Sequence, residues 1–153
     1  MKQIAVIGSG EQISSEIYDM AYSIGKLIAL SGNILICGGH GGVMEAAARG
    51  AIENNGITVG ILHSYNKSTA NPYIDIKIAT GMNQGRNVIV AASADAVIAI
   101  GGGPGTLSEI AFAARLGIKI IGIKTWKAVS PEQGKIQITE VNSAEEAIKE
   151  AIS

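Results

Sequence analysis

Residues 96–123, "AVIAIGGGPGTLSEIAFAARLGIKIIGI", join two apolar runs through a glycine-rich turn and a helical pattern. The runs 96–100 and 118–123 predict buried strands, because short apolar runs bounded by turn residues are typical of them. Three consecutive glycines at 101–103 are a costly way to turn the chain, since glycine loses more conformational freedom on folding than any other residue. The turn leads directly into a helix, whose unpaired N–H groups and partial positive charge favour anions. The stretch therefore predicts a strand, a loop whose backbone something approaches closely, and a crossover helix.

The same alternation of apolar runs and helical patterns continues on both sides of this stretch. Ser143 and Glu146 have the spacing of a capping box, which predicts the start of the last helix. Further strands are predicted at 4–8, 34–37, 58–62 and 74–78, with an edge strand at 135–139; helices are predicted from Ile13 to Ile28, over 43–54, from about Asn83 to Ser93 and from Ser143.

Near-continuous apolar strands that alternate with helices indicate a parallel sheet covered on both faces. The chain shows no internal repeat, linker or break in composition. We therefore predict an α/β fold in which residues 1–153 form a single Rossmann-like domain. Its sheet is doubly wound and mainly parallel, with helices on both faces.

The composition limits the classes of function. Hydrophobic residues make up 47% of the 153 residues, charged residues 16%, and the net charge is −1. The chain has no basic run, which argues against a nucleic-acid partner. No apolar run approaches the roughly 18 residues of a membrane span, and the N-terminus is unlike a secretory signal. One cysteine and two histidines predict neither a disulfide nor a metal site, and they favour a cytoplasmic location.

Three glycine-rich loops follow predicted strands: "GSGE" at 8–11, "GGHGG" at 38–42 and "GGGPGT" at 101–106. In doubly wound sheets, ligands bind at the carboxyl ends of the strands, near the point where the strand order reverses. The dinucleotide fingerprint that begins at Gly8 fails at Ile13, and no loop continues into G-K-[ST]. We expect the loops to bind a small phosphorylated ligand, with Gly8 and Ser9 among the possible contacts. The alternative is that the glycines only make tight turns.

Three segments together resemble the LOG family, whose members are often misnamed lysine decarboxylases: "CGGHGGVMEAAARGA" (37–51), "MNQGRNVIVAASADAVIAI" (82–100) and "GGGPGTLSE" (101–109). The resemblance covers roughly residues 4–125. It implies a Rossmann-like fold, a homodimer or larger homo-oligomer, and hydrolysis of nucleoside 5'-monophosphates to free base and ribose 5-phosphate. It implies no required cofactor, and in particular no pyridoxal phosphate.

The resemblance also implies roles for individual residues. Glu109 would be the catalytic carboxylate and Arg86 its partner. From the residues alone, Thr106 and Glu109 also have the T-x-x-E spacing of a capping box. Arg86 is the only charged residue between Lys77 and Asp95. The residues that the resemblance places around the phosphate or ligand are Gly38, Gly39, Gly42, Met44, Gly102, Gly103, Gly105 and Thr106.

Three departures from the LOG pattern leave the reaction open. Gly101 replaces a proline of the family, Asn87 replaces a lysine, and Glu45 replaces a glycine. These features are more similar to a sister branch that includes the molybdenum cofactor carrier proteins, which bind a phosphorylated pterin. The sequence therefore favours a nucleotide-like phosphate ester as ligand, with hydrolysis of a nucleoside monophosphate as one hypothesis and carriage of molybdenum cofactor or another phosphorylated pterin as the alternative.

The remaining candidate residues lie in loops. His40 and Asn87 are possible ligand contacts, whereas Asn71, Tyr73 and Trp126 either line the pocket or pack the loops. The sequence does not identify the base or pterin, because its selection would depend on residues 63–73 and on the region near Trp126. The weakly charged helical segments "IYDMAYSIGKLIAL" and "EIAFAARLG" predict a surface for a second copy of the chain.

Overall fold

The apolar runs of the sequence become the strands of one parallel sheet in a computed structural model, which describes all of residues 1–153. The strands are β1 (Gln3–Gly8), β2 (Ile34–Cys37), β3 (Ile57–Leu62), β4 (Ile76–Ala79), β5 (Ala96–Ile100), β6 (Lys119–Ile123), β7 (Val129–Ser130), β8 (Gly134–Lys135) and β9 (Thr139–Glu140). The helices are α1 (Ser15–Leu30), α2 (Gly42–Ile52), α3 (Arg86–Ala92), α4 (Pro104–Arg115) and α5 (Ala144–Ile152).

The strand order places the N-terminal strand at the centre of the sheet. The seven-stranded sheet has the order β4-β3-β2-β1-β5-β6-β9, and all its pairs are parallel. Ile4 pairs with Ala96 and Gly8 with Ile100, so β1 and β5 end at the same level. From β1 the chain winds outward to β4 in one direction and from β5 to β9 in the other. The order therefore reverses between β1 and β5, where a doubly wound sheet opens a crevice.

Helices cover both faces of the sheet, as the sequence predicted. Residues of α1, α2 and α5 pack on one face in a core of 24 buried residues, and α3 and α4 pack on the other in a core of 12. Two helical glycines let α1 and α2 approach closely. A Cβ on Gly25 would lie 1.8 Å from the carbonyl oxygen of Ala47, and one on Gly50 would lie 2.0 Å from that of Tyr22.

The predicted elements differ from the structure mainly outside the buried strands. The expected edge strand at 135–139 is wrong: β9 occupies Thr139–Glu140, and Gly134–Lys135 pairs with β7 in a separate hairpin. The helix expected from Asn83 begins as a 3-10 turn, and α3 starts at Arg86. The Ser143 hydroxyl accepts the Glu146 N–H at 3.1 Å, so the predicted cap of the last helix is present. None of the helices is both long and apolar enough to cross a membrane.

Candidate functional site

A cavity of about 520 Å³ lies at the carboxyl ends of β1 and β5, where the strand order reverses. Its wall is mostly backbone and polar side chains, to which Met44 adds an apolar surface. The three glycine-rich loops of the sequence all reach it. The residues that line the cavity are Gly8, Ser9, Gly10, Glu11, His40, Gly41, Met44, Gln84, Arg86, Asn87, Gly103, Pro104, Gly105, Thr106 and Glu109.

Two long helices, α2 and α4, begin at this cavity without a side-chain cap, as does the seven-residue α3. Gly41 is the N-cap of α2 and Gly103 that of α4, and neither offers a side chain to the first N–H groups of its helix. By contrast, α1 and α5 are capped by the hydroxyls of Ser14 and Ser143. The first N–H groups of an α-helix have no acceptor within the helix, and together they carry a partial positive charge. The Val43 N–H of α2 already donates to the Ser9 carbonyl at 2.9 Å, and Pro104 of α4 has no N–H. The other N–H groups of the two helix termini can donate to an anion.

Arg86 brings a full positive charge to the same cavity. Its side chain is 5% exposed, and its Nε and Nη1 have no hydrogen-bond partner. Burial lowers the pKa of the guanidinium, but arginine stays charged at neutral pH. Gly38 makes room for this side chain, since a Cβ there would lie 1.6 Å from Arg86 Nη1. A buried, unpartnered guanidinium is costly unless a ligand compensates its charge.

Glu109 is also buried at the cavity, with 6% of the residue exposed. Burial raises the pKa of its carboxyl group to about 7, and the charge of Arg86 opposes this shift. The sequence analysis expected Arg86 and Glu109 to act as partners, but the two side chains make no ion pair within 4.0 Å. The capping box expected for Thr106 and Glu109 is also absent. Helix α4 begins at Pro104, which places Thr106 inside its first turn.

His40 and Asn87 line the cavity and make contacts of their own. The His40 ring lies 4.4 Å from the ring of His63, centroid to centroid. Burial and the nearby Arg86 charge lower the pKa of His40, with a smaller contribution from His63. Asn87 Nδ2 donates to the Ser108 hydroxyl at 3.1 Å, so this N–H is already engaged within the chain.

Four glycines that the resemblance placed around the phosphate lie behind the cavity wall. There the absence of a Cβ lets neighbouring groups come close to the glycine backbone. Gly38 admits Arg86, and Gly39 packs against Leu62. Gly42 has a φ of +59°, and a Cβ there would lie 2.1 Å from the carbonyl oxygen of Ser9. Gly102 has a φ of +98°, and its Cβ would lie 2.3 Å from Thr106 Oγ1. The left-handed φ of Gly42 and Gly102 strains any side chain, so both positions favour glycine sterically.

Two side chains considered for the pocket wall support the glycine loops from outside instead. Asn71 donates its Nδ2 to the His40 carbonyl and its backbone N–H to the Gly39 carbonyl, both at 2.8 Å. Trp126 Nε1 donates to the Gly103 carbonyl at 3.0 Å. Neither residue lines the cavity. No residue of the loop 63–73 lines it either, although His63 lies beside His40.

The sequence analysis did not select five of the lining residues: Gly10, Glu11, Gly41, Gln84 and Pro104. Glu11, Gly41 and Pro104 lie inside the glycine loops or next to their glycines, so loop position was an available signal. Gln84 lies in the 3-10 turn before α3, and no pattern distinguishes it. The structure contains no cluster of three His, Cys, Asp or Glu side chains that could hold a metal ion.

Comparison with known proteins places the chain among proteins of this architecture. A protein of Archaeoglobus fulgidus described as uncharacterized is 49% identical over 124 residues, which is 81% of each chain. The molybdenum cofactor binding protein from Rippkaea orientalis is 39% identical, with a TM-score of 0.87 over 99% of this chain and 98% of its own. The molybdenum cofactor carrier protein from Chlamydomonas reinhardtii is 30% identical, with a TM-score of 0.84 over 99% of each chain.

The family model of the SLOG cluster4 family matches residues 1–151, nearly the whole length. This match agrees with the LOG-like resemblance read from the glycine loops. The reversal of strand order, the loops at the carboxyl edge and the match to this model lead to one conclusion: the chain is a member of the SLOG cluster4 family.

Proposed function

We propose that the protein binds a phosphorylated small molecule and carries it without reaction, the cargo being molybdenum cofactor or another phosphorylated pterin. The observation that carries the proposal is the convergence of the α2 and α4 N-termini and the unpartnered Arg86 on one cavity. A phosphate group would compensate the buried charge of Arg86 and accept hydrogen bonds from both helix termini.

The size and polarity of the cavity suit a phosphate ester of moderate size. At about 520 Å³ it lies within the range of small-molecule sites. Met44 offers an apolar contact to a flat ring, while Ser9, Glu11 and Gln84 offer polar groups to its edge. The proposal of a pterin ligand draws on two similar solved proteins, which are described as binding or carrying molybdenum cofactor.

Analysis of bound pterin in the purified protein tests this proposal. The protein would be isolated from cells that make molybdenum cofactor, denatured and oxidised, and its released pterin measured by fluorescence. We expect pterin from the parent protein and little from Arg86→Met, because Met removes the buried charge while filling most of its volume. Arg115→Met, which removes an exposed guanidinium at the far end of α4, is the matched control. Absence of pterin from the parent protein, together with failure to bind added cofactor, would contradict the proposal.

Hydrolysis of a nucleoside monophosphate is the second candidate, and Glu109 favours it. A carboxyl group whose pKa is about 7 can donate or accept a proton near neutral pH, as a glycosidic hydrolase requires. Incubation with a panel of nucleoside 5'-monophosphates, followed by chromatography for free base, separates the two functions. A carrier releases no base, whereas a hydrolase releases base from the parent protein and none from Glu109→Gln.

We also propose that the protein is a homo-oligomer that buries the outer surface of α3 and α4. Phe112 on α4 is 39% exposed, and Leu116, the residue that follows the end of α4, is 51% exposed. The one charged residue of α3 is Arg86, which is buried, so the exposed surface of α3 carries no charge. A helix without an exposed charged face is typical of a buried position. Phe112→Lys would therefore give a smaller species than the parent protein in light scattering after size exclusion; an unchanged mass would exclude this surface.

A further inference from the structure

The loop that joins β5 to α4 is held by the turn that follows β6. The Gly101 N–H donates to the Ile123 carbonyl at 3.0 Å, and the Thr125 hydroxyl donates to the Gly101 carbonyl at 2.7 Å. The Trp126 indole N–H donates to the Gly103 carbonyl at 3.0 Å. Three hydrogen bonds, made by Ile123 at the end of β6 and by Thr125 and Trp126 after it, thus connect this segment to the loop 101–103. The Gly103 carbonyl also accepts the Leu107 N–H of α4 at 3.1 Å.

These bonds determine which way the loop carbonyls point. Gly103 lines the cavity, but Thr125 and Trp126 do not, so both donors act from outside it. All peptide bonds of the chain are trans, and a trans peptide directs its C=O and N–H to opposite sides. When Thr125 holds the Gly101 carbonyl, the Gly102 N–H therefore points away from Thr125. A loop that is free to turn its carbonyl oxygens into the cavity would repel an anion.

The loop needs such support because its own sequence does not fix it. Gly101 and Gly102 have φ values of +55° and +98°, and glycine also permits many other conformations. The N-cap Gly103 has no side chain to hold the helix terminus. The turn itself is well anchored: the Thr125 methyl group packs on Gly122, and the Lys124 ammonium pairs with Glu16 of α1.

We propose that Thr125 and Trp126 are positioning residues of the anion site, which raise its affinity for phosphate. Thr125 holds the Gly101 carbonyl away from the cavity, and Trp126 reinforces the orientation that the Leu107 N–H of α4 gives the Gly103 carbonyl. This inference rests on the proposed binding of a phosphorylated ligand. The segment after β6 thereby contributes to the site, although it lies outside the three glycine-rich loops.

Titration with inorganic phosphate by calorimetry tests the proposal on Trp126→Phe, Thr125→Val and Thr125→Ser. Phe retains an aromatic ring without the N–H, and Val retains the shape of Thr without the hydroxyl. We expect each to raise the Kd for phosphate about three- to tenfold, the effect of one lost hydrogen bond. Ser keeps the hydroxyl and loses the methyl group, so Thr125→Ser should bind within about twofold of the parent protein. Recovery of affinity by Ser is a result that a merely structural role of Thr125 would not give.

Two further measurements, tryptophan emission and thermal unfolding, distinguish a loss of binding from a loss of fold. Trp126 is the only tryptophan of the chain, so its emission in the parent protein and in the Thr125 variants reports phosphate binding beside the loop. Thermal unfolding of each variant shows that weaker binding is not due to unfolding. Unchanged affinity in both Trp126→Phe and Thr125→Val would overturn the inference, and so would equal weakening by Val and Ser. A parent protein that binds no phosphate would instead refute the proposed function itself.

Discussion

Replacement of Glu109 by Gln should make the protein more stable, and increasingly so as the pH rises. The carboxyl group is buried, and its pKa is raised from 4.5 to about 7. Between these values the folded chain keeps a proton that the unfolded chain has released. The free energy of unfolding therefore falls as the pH rises from 4.5 through 7. Gln has nearly the same shape as the protonated carboxyl group but never ionises.

The size of the effect follows from the difference between the two pKa values. A difference of about 2.5 in pKa, at about 1.4 kcal/mol for each pH unit, corresponds to about 3 kcal/mol of unfolding free energy. This loss is complete once the pH lies above the pKa of the folded chain. We expect Glu109→Gln to exceed the parent protein in free energy of unfolding by about 3 kcal/mol at pH 8 and by about 1 kcal/mol at pH 5.

Urea unfolding at the two pH values, followed by circular dichroism at one protein concentration, measures both differences. The buffers must contain no phosphate, because a ligand that binds the folded chain also stabilises it. Glu11→Gln removes an exposed carboxylate from the same cavity and controls for the loss of one negative charge. If Glu109→Gln changed the free energy of unfolding equally at both pH values, or destabilised the protein at pH 8, the inference that burial raises the pKa of Glu109 would be refuted.

Four further substitutions test the site and the fold. Arg86→Met should raise the free energy of unfolding by ~1–3 kcal/mol in urea while abolishing phosphate binding in calorimetry, because it removes a buried charge without a partner. Gly38→Ala should displace Arg86 and weaken phosphate binding at least about tenfold, since its Cβ would meet Nη1 at 1.6 Å. Gly103→Ala, with no atom within 4 Å of its Cβ, should lower the free energy of unfolding in urea by no more than about 1 kcal/mol, the cost of Ala at an N-cap. Ser143→Ala should lower the free energy of unfolding by about 1 kcal/mol in the same assay, as the cap of α5 is lost.

Buried strands were predictable from the sequence because their signal is local. The runs 34–37 and 96–100 form strands with those bounds, since each is apolar throughout and is limited by polar residues or glycine. The two residues of β9, Thr139 and Glu140, are exposed and carry no such pattern. Their position depends on pairing with β6, which a short sequence window does not contain.

The site was predictable as a set of loops but not as a set of contacts. The strand-end rule predicted that the three glycine-rich loops meet at one edge of the sheet, where the cavity lies. The roles of Arg86 and Glu109 were expected only from the resemblance to the LOG family. The role of Gly38 depends on Arg86, 48 positions further along the chain, so no local motif could indicate it. Likewise, the absence of an Arg86–Glu109 ion pair depends on side-chain conformations that spacing does not determine.

The central position of β1 also determines the order in which its strand pairs can form during synthesis of the chain. Residues 3–8 leave the ribosome before the other strands of the sheet, yet one of their two neighbours, β5, is made about 90 residues later. Contacts this distant in sequence form slowly, because a long loop must close before they contribute. A nascent chain that ends before residue 96 can pair β1 with β2 but leaves the other edge of β1 open. The cavity lies across that edge, so it forms only when the second half of the sheet has docked, and a chain arrested before that point lacks the cavity.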